Sequence, residues 1–294
     1  MANYYCLMAG VPDISLEDAD STKITLQDFR NQTEEVLTEQ DRKLLFYFYL
    51  KQDCINLVKL LKNPDAEIGK WGNLSLEQLQ DLITSARTMN FNVHRYPAFM
   101  SIFAREFDYN KNKTDFFPED ILLFEFYQFA MQCPNKFIAE WYELNLNLTN
   151  MLTAFIARKQ GWNIADFIYG DNDVNEMLRN NNTKDFDLKN EYDYVGDIIK
   201  IVECWDPVKK EKLIDVFKWK WLDEATFFEV FSIEAVFAYL CKLDMIDRWQ
   251  NLEPQKGKEE FREIIENLRS EAKVPEEFVR KNSFAARISS QSVK

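Results

Sequence analysis

Histidine is almost missing from this chain of 294 residues: His94 is the only one. A site with two histidine ligands is therefore impossible, and zinc chemistry of the HExxH kind is excluded. Any Ser-His-Asp or Cys-His device would have to use His94, which stands beside Arg95 and just before Tyr96-Pro97 and reads as a surface or capping residue. Glycine and proline are also scarce. Together they number 7 + 8 = 15, about 5% of the chain against roughly 12% in average usage. Hairpins and tight turns consume these residues, so a many-stranded β fold is excluded. With 28 Leu against 14 Val, the composition leans to helix.

Phosphate-binding loops are absent too. There is no GxxxxGK followed by Ser or Thr, and no GxGxxG; Gly69-Lys70-Trp71-Gly72 is the closest glycine pair. No DDxxD motif occurs, which counts against an isoprenoid-type synthase. Asp108-x-Asn110-x-Asn112 imitates a calcium loop, but Lys113 stands where the sharp turn needs Gly. Asp171-x-Asp173-x-Asn175 fails at the same position with Glu176. No metal, no cofactor and no catalytic constellation are expected. Cys6, Cys54, Cys133, Cys204 and Cys241 are scattered without a CxxC, as in a reduced, cytosolic protein. No basic leader opens the chain and no apolar run approaches 18 residues, so no secretion signal and no membrane span are expected.

What is present is acid, aromatics and helical periodicity. The net charge is 36 − 49 = −13, which disfavours nucleic-acid binding because neutralising phosphates requires basic patches. Residues 279–294 run against this trend, with Arg280, Lys281, Arg287 and Lys294 and no acid, as a solvated tail or an anionic docking site. Helix starts are legible at Thr25, at Thr38 and at the capping box Ser75-Leu76-Glu77-Gln78. Pro118 opens another helix, and a long one runs from about Lys136 to Gly161. Further helices are predicted near 191–203, 208–222, 232–250 and 257–271. No segment alternates with period 2, so the fold class is all-α with roughly ten helices.

Three long helices share a pattern: an aromatic-Leu start, then two polar residues three apart. They are Tyr49-Leu50 with Asp53 and Asn56, Tyr142 and Leu144 with Asn147 and Asn150, and Tyr239-Leu240 with Asp244 and Asp247. The leading positions lie 147 − 53 = 94 and 244 − 147 = 97 residues apart. Residues i and i+3 share a helix face, so each pair is expected to cap a neighbouring helix or bond a loop within its unit. The period predicts three small helical bundles, at 1–112, 113–190 and 191–294. Aromatics cluster at Phe217-Lys218-Trp219-Lys220-Trp221 and at Phe227, Phe228 and Phe231. These read first as packing; Trp219, Trp221, Phe227 and Phe228 are also candidates for partner contact.

The opening, Tyr4-Tyr5-Cys6-Leu7-Met8-Ala9-Gly10-Val11-Pro12-Asp13-Ile14, resembles the start of an uncharacterised bacterial family encoded beside V-type ATP synthase subunits. The three-unit pattern separately resembles the central-stalk C subunit of the V/A-type ATPases, whose eukaryotic counterpart is the d subunit. Phe231 to Leu240 and the following helix are similar to that family's C-terminal helix, and Asn147 to Lys159 to its central one. The resemblance implies three similar helical domains in a pseudo-threefold funnel. It implies a non-catalytic central-stalk role, coupling the rotor shaft to the proteolipid ring. The implied partners are shaft subunits and that ring, and the implied place is the cytoplasmic side of the inner membrane, reached through the complex. An unrelated all-α adaptor or regulatory protein is the second reading, and an all-α enzyme the third.

Overall fold

The computed structural model describes residues 4–17, 22–88, 95–113 and 116–251. Among these it is all-helical, with eleven α-helices and no strand. They are α1 (Tyr5–Gly10), α2 (Leu26–Val36), α3 (Glu39–Lys62), α4 (Leu76–Arg87), α5 (Ala98–Asn110) and α6 (Pro118–Ala130). There follow α7 (Lys136–Gln160), α8 (Asp173–Asn180), α9 (Val195–Glu203), α10 (Pro207–Ala225) and α11 (Ile233–Gln250). His94, the segment 257–271 and the basic tail lie outside the described residues.

The helix starts have local chemical causes. Thr25 and Ser75 close reciprocal capping boxes with Asp28 and Gln78, each satisfying two orphan backbone donors. Thr38, Asn135, Asn172, Asp206 and Ser232 cap α3, α7, α8, α10 and α11 with a side-chain oxygen. Gly161 ends α7 in the left-handed region, φ 72°, where a Cβ would be strained. The short opening segment is itself helical, as α1, and is tied down where the Tyr4 N–H donates to the Phe231 carbonyl at 2.7 Å.

The three long helices α3, α7 and α11 form the centre. Helix α11 packs on both α3 and α7. Phe237 of α11 is fully buried and meets the rings of Phe48 on α3 and of Phe137 and Tyr142 on α7. Tyr142 also donates its hydroxyl proton to the Tyr47 carbonyl at 2.9 Å, joining α7 to α3. Around this centre α4 and α5 pair with α3, α6 packs on α3, α5 and α7, α10 packs on α9 and α11, and α2 closes back on α11. A second, smaller core joins α7, α8 and α9 through Met151, Leu178, Phe186, Val195 and Ile198. That core crosses position 190, where the sequence divides its second unit from its third.

Candidate functional site

The polar pairs of α3 and α7 grip the loops that follow those helices. Asn56 is fully buried on α3. Its Nδ2 donates to the Gly69 carbonyl at 3.0 Å, and its Oδ1 accepts from the Gly69 N–H at 2.8 Å. Asn150 makes the same two-point grip on α7: Nδ2 donates to the Tyr169 carbonyl at 2.7 Å, and Oδ1 accepts from the Tyr169 N–H at 3.1 Å. A primary amide offers one donor and one acceptor side by side, so it matches one residue's N–H and C=O as a neighbouring strand would.

The leading member of each pair then aims the next helix. The Asp53 carboxylate accepts from the backbone N–H groups of Asn73 and Leu74, at 3.0 and 2.9 Å, just before the Ser75 cap of α4. Asn73 Nδ2 adds a third bond at 2.9 Å. Asn147 accepts from the side chain of Asn172, the residue that caps α8, at 2.7 Å. Burial pushes the Asp53 carboxyl above its ordinary value, and the Leu74 and Asn73 hydrogen bonds pull it back. On α11, Asp244 and Asp247 occupy the matching positions, and neither grips a loop among the described residues.

The grip on α3 leaves no room beside it. A Cβ at Gly72 would stand 2.2 Å from the Asp53 Oδ1 that Leu74 already holds. Gly72→Ala is expected to destabilise the fold by about 2 kcal/mol, because a buried carboxylate must shift off its donors. Urea unfolding against wild type checks this, and Gly10→Ala, with open space around its site, is the matched control.

The four aromatic candidates separate into two kinds. Trp221 stacks on Phe137 with ring centroids at 5.5 Å and meets Trp141 at 5.7 Å, so it belongs to the packing. Trp219 lies against the Lys242 ammonium, 5.2 Å from its ring centre. Phe227 and Phe228 are in the open at the α10–α11 turn, 70% and 89% exposed, and among the described residues their rings meet each other in T-shaped contact at 4.9 Å. Val230 and Tyr5 nearby are exposed as well.

A cleft of about 180 Å³ opens where α3, α7, α10 and α11 meet. Its polar groups are Lys51 and Gln52 of α3, Asn145 of α7, Asp215 and Lys218 of α10, and Asp244 and Arg248 of α11. Arg248 pairs with the buried Asp215, which also accepts from the Trp249 indole N–H at 2.6 Å. Desolvation pulls the Lys218 ammonium down to about 8. The Asp244 carboxyl is raised by burial, with the Lys51 charge opposing. Asp244 is nevertheless solvent-accessible, since the cleft itself admits water. Sequence reasoning did not find this cleft. Its one local signal was Lys218 in the aromatic run: Lys220 pairs outward with Glu224, whereas Lys218 turns inward.

Among the described residues no three His, Cys, Asp or Glu side chains gather to hold a metal ion. The calcium-like Asp108 is instead paired with Arg87 and Lys111, which hold its carboxyl below the usual range, Lys111 most strongly. Among the same residues no helix is long and apolar enough to cross a membrane.

The model of one family, described as "Protein of unknown function (DUF2764)", matches residues 1–272. No curated protein matches the chain. No solved structure matches it either.

Proposed function

We propose, from the premise that the chain belongs to the family described as "Protein of unknown function (DUF2764)", that it is a non-catalytic central-stalk component of a V-type ATPase. In this reading it couples the rotor shaft to the proteolipid ring, the role implied by the V/A-type ATPase family whose helix pattern it resembles. The observation that carries the reading is the repeated grip: Asn56 on Gly69 and Asn150 on Tyr169, at matching positions of α3 and α7. Two unrelated helices would have no reason to share a two-point clamp, a leading polar partner and a capped helix after it.

The packing order supports a threefold reading. Helix α6 opens the second set against α3 and α5 of the first; α9 opens the third against α7 of the second; α2 of the first closes on α11 of the third. In this reading the three units close on one another as a collar, and a collar transmits torque through its shape and its interfaces rather than through reacting groups. Phe227 and Phe228 are among the exposed aromatics available to such an interface, as are Trp205 and Tyr109.

Affinity purification of the tagged full chain from detergent-solubilised native membranes tests the reading. Catalytic, shaft and proteolipid subunits of one V-type ATPase are expected in fixed proportion, identified by mass spectrometry. A chain recovered alone, or with unrelated partners in fixed proportion, overturns it and favours an all-α adaptor.

A further inference from the structure

The loop that Asn150 grips is longer than its counterpart after α3, and the added length builds a wall. Asn56 holds Gly69, 13 residues ahead, whereas Asn150 holds Tyr169, 19 residues ahead. The longer loop carries a short 3-10 turn, Ile164–Asp166, and then Phe167. With α6 and α7 it borders a groove of about 830 Å³. Small-molecule sites commonly occupy roughly 300–1,000 Å³.

The groove is lined by five aromatic rings. Phe117, Asp120, Phe124 and Tyr127 stand at i, i+3, i+7 and i+10, so one stripe of α6 faces it. Phe124 stacks on Tyr169 with ring centroids at 5.5 Å, which joins that stripe to the gripped loop. Phe117 before α6 and Phe167 on the loop are left exposed.

The charge in this space has one sign. Asp120 and Asp166 line it, and no Lys, Arg or His does. Glu119 also acts on Asp120, but it is paired with Lys62 and leaves the balance negative. Burial pushes the Asp120 carboxyl above its ordinary value, Glu119 adds to the rise, and no cation opposes it. The Asp120 carboxylate makes no hydrogen bond or ion pair among the described residues. It lies one helical turn from Phe124 and is close enough to Tyr169 to act on the phenol. Carboxylate and stacked rings are therefore neighbours. An acid in the first turn of α6 also meets the positive end of the helix dipole. That explains an acid at Asp120, but not the aromatic lining beside it.

We propose that this groove binds a small organic cation, an ammonium group carried on an apolar body. Asp120 supplies the counter-charge, and Phe117, Phe124 and Phe167 receive the body. Aromatic faces attract a cation as well as an apolar group, and a carboxylate in partly desolvated space strengthens the pairing. The site does not depend on the rotor reading and would stand in an adaptor equally well.

Calorimetric titration of the full chain with phenethylammonium tests the site at constant ionic strength. Phenethyl alcohol, its neutral counterpart, and hydrocinnamate, with the opposite charge, are titrated alongside. Phenethylammonium is expected to saturate one site, the alcohol to bind at least tenfold more weakly, and hydrocinnamate not to bind. Asp120→Asn is expected to weaken phenethylammonium tenfold or more while leaving the alcohol unchanged. Phe124→Leu is expected to weaken both. Melting temperatures accompany each titration. Asp120→Asn removes a carboxylate with no described partner and is expected to melt close to wild type, so lost binding is not lost folding. Absence of saturation by phenethylammonium, equal binding of amine and alcohol, or an Asp120→Asn variant that binds as wild type does overturns the proposal.

Discussion

Asn150→Ala is expected to lower the unfolding free energy by about 3 kcal/mol, and Asn56→Ala by a similar amount. Asn56→Ala strands the Gly69 N–H and C=O, and Asn150→Ala strands the Tyr169 N–H and cuts one of the two bonds to its C=O; each orphaned group costs about 1–3 kcal/mol. Asn150 is tied further, since its Nδ2 also donates to Asn175 Oδ1 at 2.8 Å. The Asn175 amide reaches the same Tyr169 carbonyl at 2.9 Å, so the α7 loop retains one bond when Asn150 is cut. The α3 loop has no such second hold on Gly69, and Asn56→Ala is therefore expected to be at least as costly. Asn56→Asp separates geometry from volume: it keeps the acceptor for the Gly69 N–H but sets a carboxylate against the Gly69 carbonyl. It is expected to fall below Asn56→Ala. Urea denaturation at constant m-value measures all three; losses under about 0.5 kcal/mol, the size of an ordinary surface change, would remove the grip from the account.

Phe237→Ala has a still larger expected effect, about 3–5 kcal/mol. The ring is fully buried where α3, α7 and α11 meet, in edge-on contact with Phe48, Phe137 and Tyr142 at 6.2–6.3 Å. No single neighbour can close the void, because the surrounding rings are held by separate helices, Phe48 by α3 and Phe137 and Tyr142 by α7. A melting temperature lower by roughly 10 °C is expected from a loss of this size in a chain of this length. Phe237→Leu fills much of the volume and is expected to recover more than half of the loss. An Ala variant that melts with wild type would mean that the three long helices do not share one core.

The helices were legible because their causes are local. Thr25, Thr38, Ser75 and Pro118 announce their own starts, and the structure begins helices at Leu26, Glu39, Leu76 and Pro118. The polar pairs were legible as a pattern for the same reason: i and i+3 on one helix face is a sequence property. Their partners were not. Asn56 reaches 69 − 56 = 13 residues ahead and Asn150 reaches 169 − 150 = 19, so the loops differ by six residues and no fixed spacing marks them. The cleft was hidden for a stronger reason. Lys51, Lys218 and Asp244 are distant in sequence and meet only through helix packing. The alternation of aromatics with Lys218 and Lys220 carries no sign that one lysine turns inward and the other pairs with Glu224. Trp221 and Phe228 show the same limit: both are aromatics at helix ends, yet one is stacked inside and the other is 89% exposed.

Torque coupling itself is measured most directly by ATP-driven ion uptake into inverted native membrane vesicles, with and without this chain, alongside ATP hydrolysis by the same preparation. A central-stalk role predicts that removing the chain abolishes uptake while hydrolysis by the catalytic head persists, and that adding back the purified protein restores uptake. Uptake that is unchanged without the chain would contradict the rotor-coupling account.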